Sequence, residues 1–161
     1  MSEPNGHTPG ILTDPAAVRD FVLAGNATIT LVSKKTGARY TYRVKEVPAD
    51  PGRAPGPVSH FVHVLTDPDN ERGYTYLGNV YSRGGLVDYG HGRKSRIEAS
   101  APSARGFRWF FDKVVGAGED PEAAGLEVWH EGRCGRCGRK LTVPESIARG
   151  IGPECAGKVA G

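Results

Sequence analysis

Cys134-Gly135-Arg136-Cys137-Gly138 turns two thiolates toward one point, and Cys155 follows after seventeen intervening residues. Three sulfur donors at that spacing suit a tetrahedral zinc ion. The two-residue gap folds the backbone back beneath the metal, and a glycine after the second cysteine permits the tight turn. The chain holds 3 cysteines in all. An odd, clustered count does not make a disulfide framework, and it favours metal in a reducing compartment. Three unrelated thiols would leave the clustering without a reason, and a redox C-x2-C pair lacks its βαβ setting. A closed structural site takes a fourth ligand. His130, close before Cys134 and next to Trp129, is the expected one, with His91 the next candidate. His60 and His63 fall on a strand pattern, where a core or surface role is expected, and His7 lies in a polar tail.

The residues between the cysteines support the same reading. Thr142-Val143-Pro144-Glu145 is a capping box with proline near the helix start, so 146–149 should form about one helical turn. Gly150 ends it. Gly152-Pro153 then opens a second short helix with Cys155 in its first turn, where the helix N-terminus would stabilise a thiolate. The pattern Cys134-x2-Cys137-Gly138-Arg139-x-Leu141-Thr142-x-Pro144-Glu145-Ser146-x3-Gly150-Ile151-Gly152-Pro153-x-Cys155 resembles an uncharacterised small domain family found in many bacteriophage and actinobacterial proteins. The resemblance covers roughly residues 133–157. It implies a zinc-finger-like module, a knuckle or treble clef, and a bacterial or phage origin. It brings no established activity.

Net charge is +3, and its location says more than its size. From Trp129 onward, Arg133, Arg136, Arg139, Lys140, Arg149 and Lys158 face only Glu131, Glu145 and Glu154, which leaves the first 128 residues balanced between the signs. One divalent ion on three thiolates would lower the excess by one and leave the tail basic. A basic surface attracts nucleic acid and acidic protein alike. Two further basic groups are candidate contacts: Lys34 and Lys35 in a predicted turn, and Arg93, Lys94 and Arg96 in a glycine-containing loop. That loop is not a P-loop, because the glycine before lysine is missing and the upstream spacing fails.

Tyr40, Tyr42, Tyr74, Tyr76 and Tyr81 lie on predicted strands beside Arg39, Arg43 and Arg83. Such rings can stack bases while cations hold phosphates. Tyrosine is also a good strand residue for packing, and packing is the expectation here. Catalysis has no comparable signal: no serine sits in a nucleophile elbow, and Asp88 and His91 have no third group to orient them. Zinc-dependent deamination needs H-x-E ahead of P-C-x2-C. Here His130 and Glu131 are adjacent and no proline precedes Cys134.

The elements that must position these residues follow from periodicity. Residues 1–13 read as a disordered tail rich in Pro, Gly and polar residues. Asp14-Pro15 caps a short helix with Val18, Phe21 and Val22 on one face, stopped at Gly25-Asn26. Ala27, Ile29 and Leu31 alternate with threonines, and Tyr40, Tyr42 and Val44 alternate with Thr41, Arg43 and Lys45. A polar turn ending at Gly37 joins the two runs into a hairpin. Four prolines between 47 and 58 make an irregular loop. Strands follow over 60–66, 74–81 and 86–89, the first with apolar residues on both faces and therefore interior to its sheet. The main helix spans 100–115, with Phe107, Phe110, Phe111 and Val114 as its stripe. A linker over 120–125 and a last strand over 126–129 lead into the cysteines.

The fold class is thus α+β: a mainly antiparallel sheet with one main helix packed on it over 14–125, followed by a zinc-binding module over 126–161. Apolar runs are too short to span a bilayer, and no basic-then-apolar leader opens the sequence, so a cytoplasmic location is expected. The functional expectation is a non-enzymatic zinc protein of phage or mobile-element type that contacts nucleic acid through its basic module. The alternative is a protein-binding inhibitor of a host defence complex, of the kind that blocks CRISPR systems.

Overall fold

Period-two alternation lays residues 26–46 down as a hairpin. Asn26–Ser33 is β2 and Arg39–Glu46 is β3, registered from Asn26 opposite Lys45 to Val32 opposite Arg39. Gly37 closes the turn with φ of 76°, which a glycine adopts without steric cost. The computed structural model describes residues 10–47, 58–66, 73–83, 85–137 and 150–151. The expected proline-rich loop and the expected turn after β4 fall mainly outside them, and the two short helices expected over 146–149 and from 152 fall outside entirely.

The remaining strands are β1 (Gly10–Leu12), β4 (Val58–Leu65), β5 (Tyr74–Arg83), β6 (Leu86–His91) and β7 (Leu126–His130). All seven form one antiparallel sheet in the order β1-β7-β2-β3-β4-β5-β6. β4, apolar on both faces, is an interior strand as its sequence predicts. Two expectations change. Gly10–Leu12 falls in the stretch read as a disordered tail, yet it pairs with β7 and buries Leu12 completely. One apolar side chain with a strand edge beside it suffices to order three polar-flanked residues. β7, assigned from sequence to the C-terminal module, lies within the sheet body between β1 and β2. Val128, fully buried on the helix side, is what binds it there.

One sheet face carries the helices. α1 (Pro15–Val22) is capped by Asp14, whose carboxylate accepts from the Ala17 N–H at 3.2 Å, and buries Val18, Phe21 and Val22. α2 (Pro102–Phe110) brings Phe107 and Phe110 down. The main helix was expected to run on regularly to 115. Instead it widens into a π-helical segment over Phe111–Gly116, with Ala117 N–H donating to the Asp112 carbonyl five residues back. The widened end buries adjacent pairs, Phe110 with Phe111 and Val114 with Val115. Phe107 lies at the centre, its ring 5.0 Å from Tyr42, 4.9 Å from Tyr89 and 5.7 Å from Phe110. Each such ring removed from water contributes about 1.5–3 kcal/mol. The opposite face of the sheet has no helix on it among the described residues.

Candidate functional site

The cysteine turn is docked on the corner where α1 meets β2. β7 delivers the chain there, and His130, its last residue, is buried beside Phe21 with ring centroids 5.7 Å apart. Asn26 N–H donates to the Gly135 carbonyl at 2.7 Å, and Gly135 N–H donates to the Gly150 carbonyl at 2.8 Å. Gly135 has to be glycine: a Cβ there would stand 2.6 Å from Phe21 Cδ1. Gly150 meets the same ring and has φ of 73°, so the first and last described parts of the module close over Phe21 together.

The donors suit a metal in part. Cys134 Sγ is buried and accepts the Arg136 N–H at 3.4 Å, while Cys137 is exposed. A backbone N–H aimed at the sulfur two residues back favours the thiolate, the form that binds zinc. His130 is set differently. Its Nδ1 accepts the Gly132 N–H at 2.9 Å. A histidine that ligates through Nε2 donates from Nδ1, so His130 would have to exchange that hydrogen bond before binding metal by Nε2. Cys155 lies outside the described residues, as do Arg139, Lys140, Arg149 and Lys158. His91, the other candidate ligand, faces the Ile97 carbonyl at 2.7 Å on the far edge of the sheet.

The structure separates the three basic groups found in the sequence. Lys34 and Lys35 sit in the hairpin turn at the end of β2 remote from Asn26, about 25 Å from the cysteine turn at strand rise. Lys34 is ion-paired there with Glu122 at 3.4 Å. Arg93, Lys94 and Arg96 follow β6, five strand spacings or roughly 24 Å from β7. Arg136 and Arg133 are exposed on the module. Arg133 shares a hollow of about 200 Å³ with Arg43, Lys45, Glu131 and Cys134. The neighbours that β3 supplies to Arg133, Arg43 and Lys45, are the cations a linear reading does not connect with the cysteines.

The open sheet face carries these cations among rings. Cross-strand register sets the face out in rows. One holds Ile11, Trp129, Thr30 and Thr41, continued by Leu65 and Tyr74 on β4 and β5. The next holds Thr28, Arg43, His63 and Tyr76, and a third Asn26, Lys45, Phe61 and Asn79. Strand parity thus divides the tyrosines. Tyr42 is fully buried and Tyr40 packs against the core, as expected of strand residues, whereas Tyr74, Tyr76 and Tyr81 look outward. The Arg43 guanidinium lies 4.1 Å from the Tyr74 ring centre. Phe61, His63 and Tyr76 meet edge to face, at centroid distances of 5.7 to 6.5 Å. Burial lowers the His63 pKa, and the positive charges of Lys45 and Arg43 lower it further. A hollow of about 480 Å³ is lined by Tyr74 and Trp129, by Thr28, Thr30 and Thr41, and by Arg39, Arg43 and Glu131 among others.

The loop after β6 turns out to be scaffolding for this face. A Cβ at Gly92 would overlap the Tyr76 ring, and Ser95 Oγ donates to the Tyr76 carbonyl at 2.8 Å. Glycine at position 92 lets the ring lie down. On the helix side a second hollow, of about 520 Å³, is lined by Tyr89, Arg108, Asp112, Lys113 and Glu119 among others. Four of its charges pair, Arg108 with Asp112 at 3.6 Å and Lys113 with Glu119 at 3.9 Å, and Arg105 also lines it.

Residues 124–160 match a family of unknown function (DUF6011), a segment that comprises β7 and the C-terminal module. No curated protein and no solved structure matches the chain. Among the described residues no helix is long and apolar enough to cross a membrane.

Proposed function

We propose that this chain is a non-enzymatic nucleic-acid-binding protein of phage or mobile-element type, working in the cytoplasm, with a structural zinc ion in its C-terminal module. Cys134, Cys137 and Cys155 are the thiolates that hold the ion, and His130 is the fourth ligand by proximity. Zinc there ties together a segment too short and glycine-rich to hold its own shape. The observation that carries the binding function is the charge distribution: all the net positive charge of the chain lies beyond residue 128. The hollow in which Arg133 joins Arg43 and Lys45 extends that charge onto the sheet.

Two measurements test the two halves. Metal analysis of the purified chain is expected to give stoichiometric zinc, lost in Cys134→Ser and Cys137→Ser. Retention of zinc in His130→Ala would remove His130 from the ligand set. Anisotropy titration with labelled DNA at two salt concentrations is expected to show binding that weakens steeply with salt, since each neutralised phosphate releases counterions. Absence of binding at low salt would leave a protein partner, such as a host defence complex, as the target of the basic module.

A further inference from the structure

We propose that the open face of the sheet is a stacking platform for single-stranded nucleic acid, running from the rings of Phe61, His63 and Tyr76 across β3 to Trp129. It rests on the nucleic-acid reading above and narrows it to unpaired strands.

Three observations carry it. First, the rings face solvent where an isolated sheet would be expected to bury or dilute them. Phe61 is 42% exposed, and Tyr81, one row further along, is 45% exposed. Second, the rings are fixed in place. Tyr76 lies over Gly92 with its hydroxyl donating to Asn79 Oδ1, and the Trp129 indole N–H donates to Glu127 Oε1 at 3.0 Å. Rings held in this way can receive a base without a large ordering cost. Third, cations are interleaved with them. Lys45 pairs across the strands with Phe61 and Arg43 with His63. Among the described residues, Arg39 and Arg43 accompany Glu131 in the hollow beside Trp129, and Arg43, Lys45 and Arg133 accompany the same Glu131 in the one beside Cys134, so cations outnumber carboxylates in both.

The occupant follows from that chemistry. Bases in a duplex already stack on one another, so only an unpaired strand can offer its base faces to rings on a sheet. A protein partner would meet Lys45 in the middle of the contact, whereas lysine is depleted in protein interfaces. His63 and Trp129 lie three strands apart, roughly 15 Å, so more than one nucleotide occupies the face when both ends are used.

The test uses the full chain and an oligothymidylate of about 15 nucleotides, near the upper site size of single-strand-binding folds. A duplex of the same length is the comparison. The single strand is expected to bind more tightly than the duplex. Phe61→Ala should weaken single-strand binding about tenfold, within the range for loss of one stacking ring, and leave duplex binding unchanged. Lys45→Glu should weaken it and flatten its salt dependence. In a Trp109→Phe background the remaining tryptophan, Trp129, should be quenched on adding the oligonucleotide, which reads the platform without altering it. If nucleic acid binds but Phe61→Ala and Lys45→Glu leave the single-strand affinity unchanged and Trp129 is not quenched, the platform is wrong and the basic module alone is the site. If neither single strand nor duplex binds at low salt, both the platform and the nucleic-acid reading fall.

Discussion

The two faces of this sheet draw on the same residue types and put them to opposite use. On the helix side Tyr42 and Tyr89 are structural. Tyr42 Oη donates to the Ser103 carbonyl at 2.6 Å, and the Tyr89 ring lies between Phe107 and the Arg108 guanidinium. Burial pushes the Tyr89 hydroxyl pKa up to about 12 and raises that of Tyr42 as well. On the open side Tyr74 and Tyr76 stand beside cations and solvent. Nothing about tyrosine itself decides between these fates. Parity along the strand does, because neighbours in sequence point to opposite faces. An irregularity in the β4–β5 pairing, between Val62 and His63, lets Leu77 turn into the core while Tyr76 still faces out opposite His63.

The contrast can be broken most forcefully at its centre. Phe107→Ala removes a fully buried ring and is expected to cost about 3–5 kcal/mol in urea unfolding. Phe61→Ala, on the open face, is expected to cost less than about 1 kcal/mol. Similar losses from the two would mean that the open face is covered in the native protein. A smaller effect is expected at the corner where the module docks. Gly135→Ala drives a methyl group against Phe21, and overpacking of that kind costs about 1–3 kcal/mol. Unchanged stability would show that the cysteine turn does not seat on α1.

The smallest effect is on pH dependence, and it sharpens the comparison because a histidine on each face, His60 and His63, has a lowered pKa. Burial lowers the pKa of His60 on the helix side, outweighing the opposing influence of its bond to the Leu23 carbonyl and of Glu46. Burial also lowers that of His63 on the open side, with Lys45 and Arg43 adding to it. Below the ordinary value of 6.5 the unfolded chain takes up protons that the folded chain resists, so stability falls as pH drops from there toward the depressed folded values. The melting temperature should therefore decline between neutral and mildly acidic pH. His63→Gln should flatten part of the decline, and bound nucleic acid should flatten it too, by supplying phosphates that favour a protonated His63. A decline that His63→Gln leaves unaltered would assign it to other groups.

Much of the fold was legible in the sequence because its signals are local. Alternation marks β2 and β3, a run apolar on both faces marks β4, Asp14-Pro15 marks the start of α1, and the phenylalanine stripe marks α2. What could not be read was long-range. β1 is three residues whose only recommendation is Leu12, and its partner lies more than a hundred residues away. β7 looks like a lead into the cysteines, since nothing in Leu126-Glu127-Val128-Trp129 says which strands it will join. The site divides along the same line. The C-x2-C turn is visible by spacing, whereas the association of Trp129 with Tyr74, or of Arg133 with Lys45, exists only once strand register is fixed. The role of Gly92 could not be read either, because close approach of a ring leaves no separate trace in the sequence.

The position of β7 has a consequence for how the protein comes into being. β2 waits for a neighbour that the ribosome makes almost a hundred residues later, so until then its backbone donors and acceptors form a bare edge. Loops of that length slow closure, and the hairpin made early must persist through the interval without pairing to a strand of another nascent chain. Synthesis halted before residue 126 would therefore leave the sheet split between β1 and β2, with the seam that joins its two ends still missing.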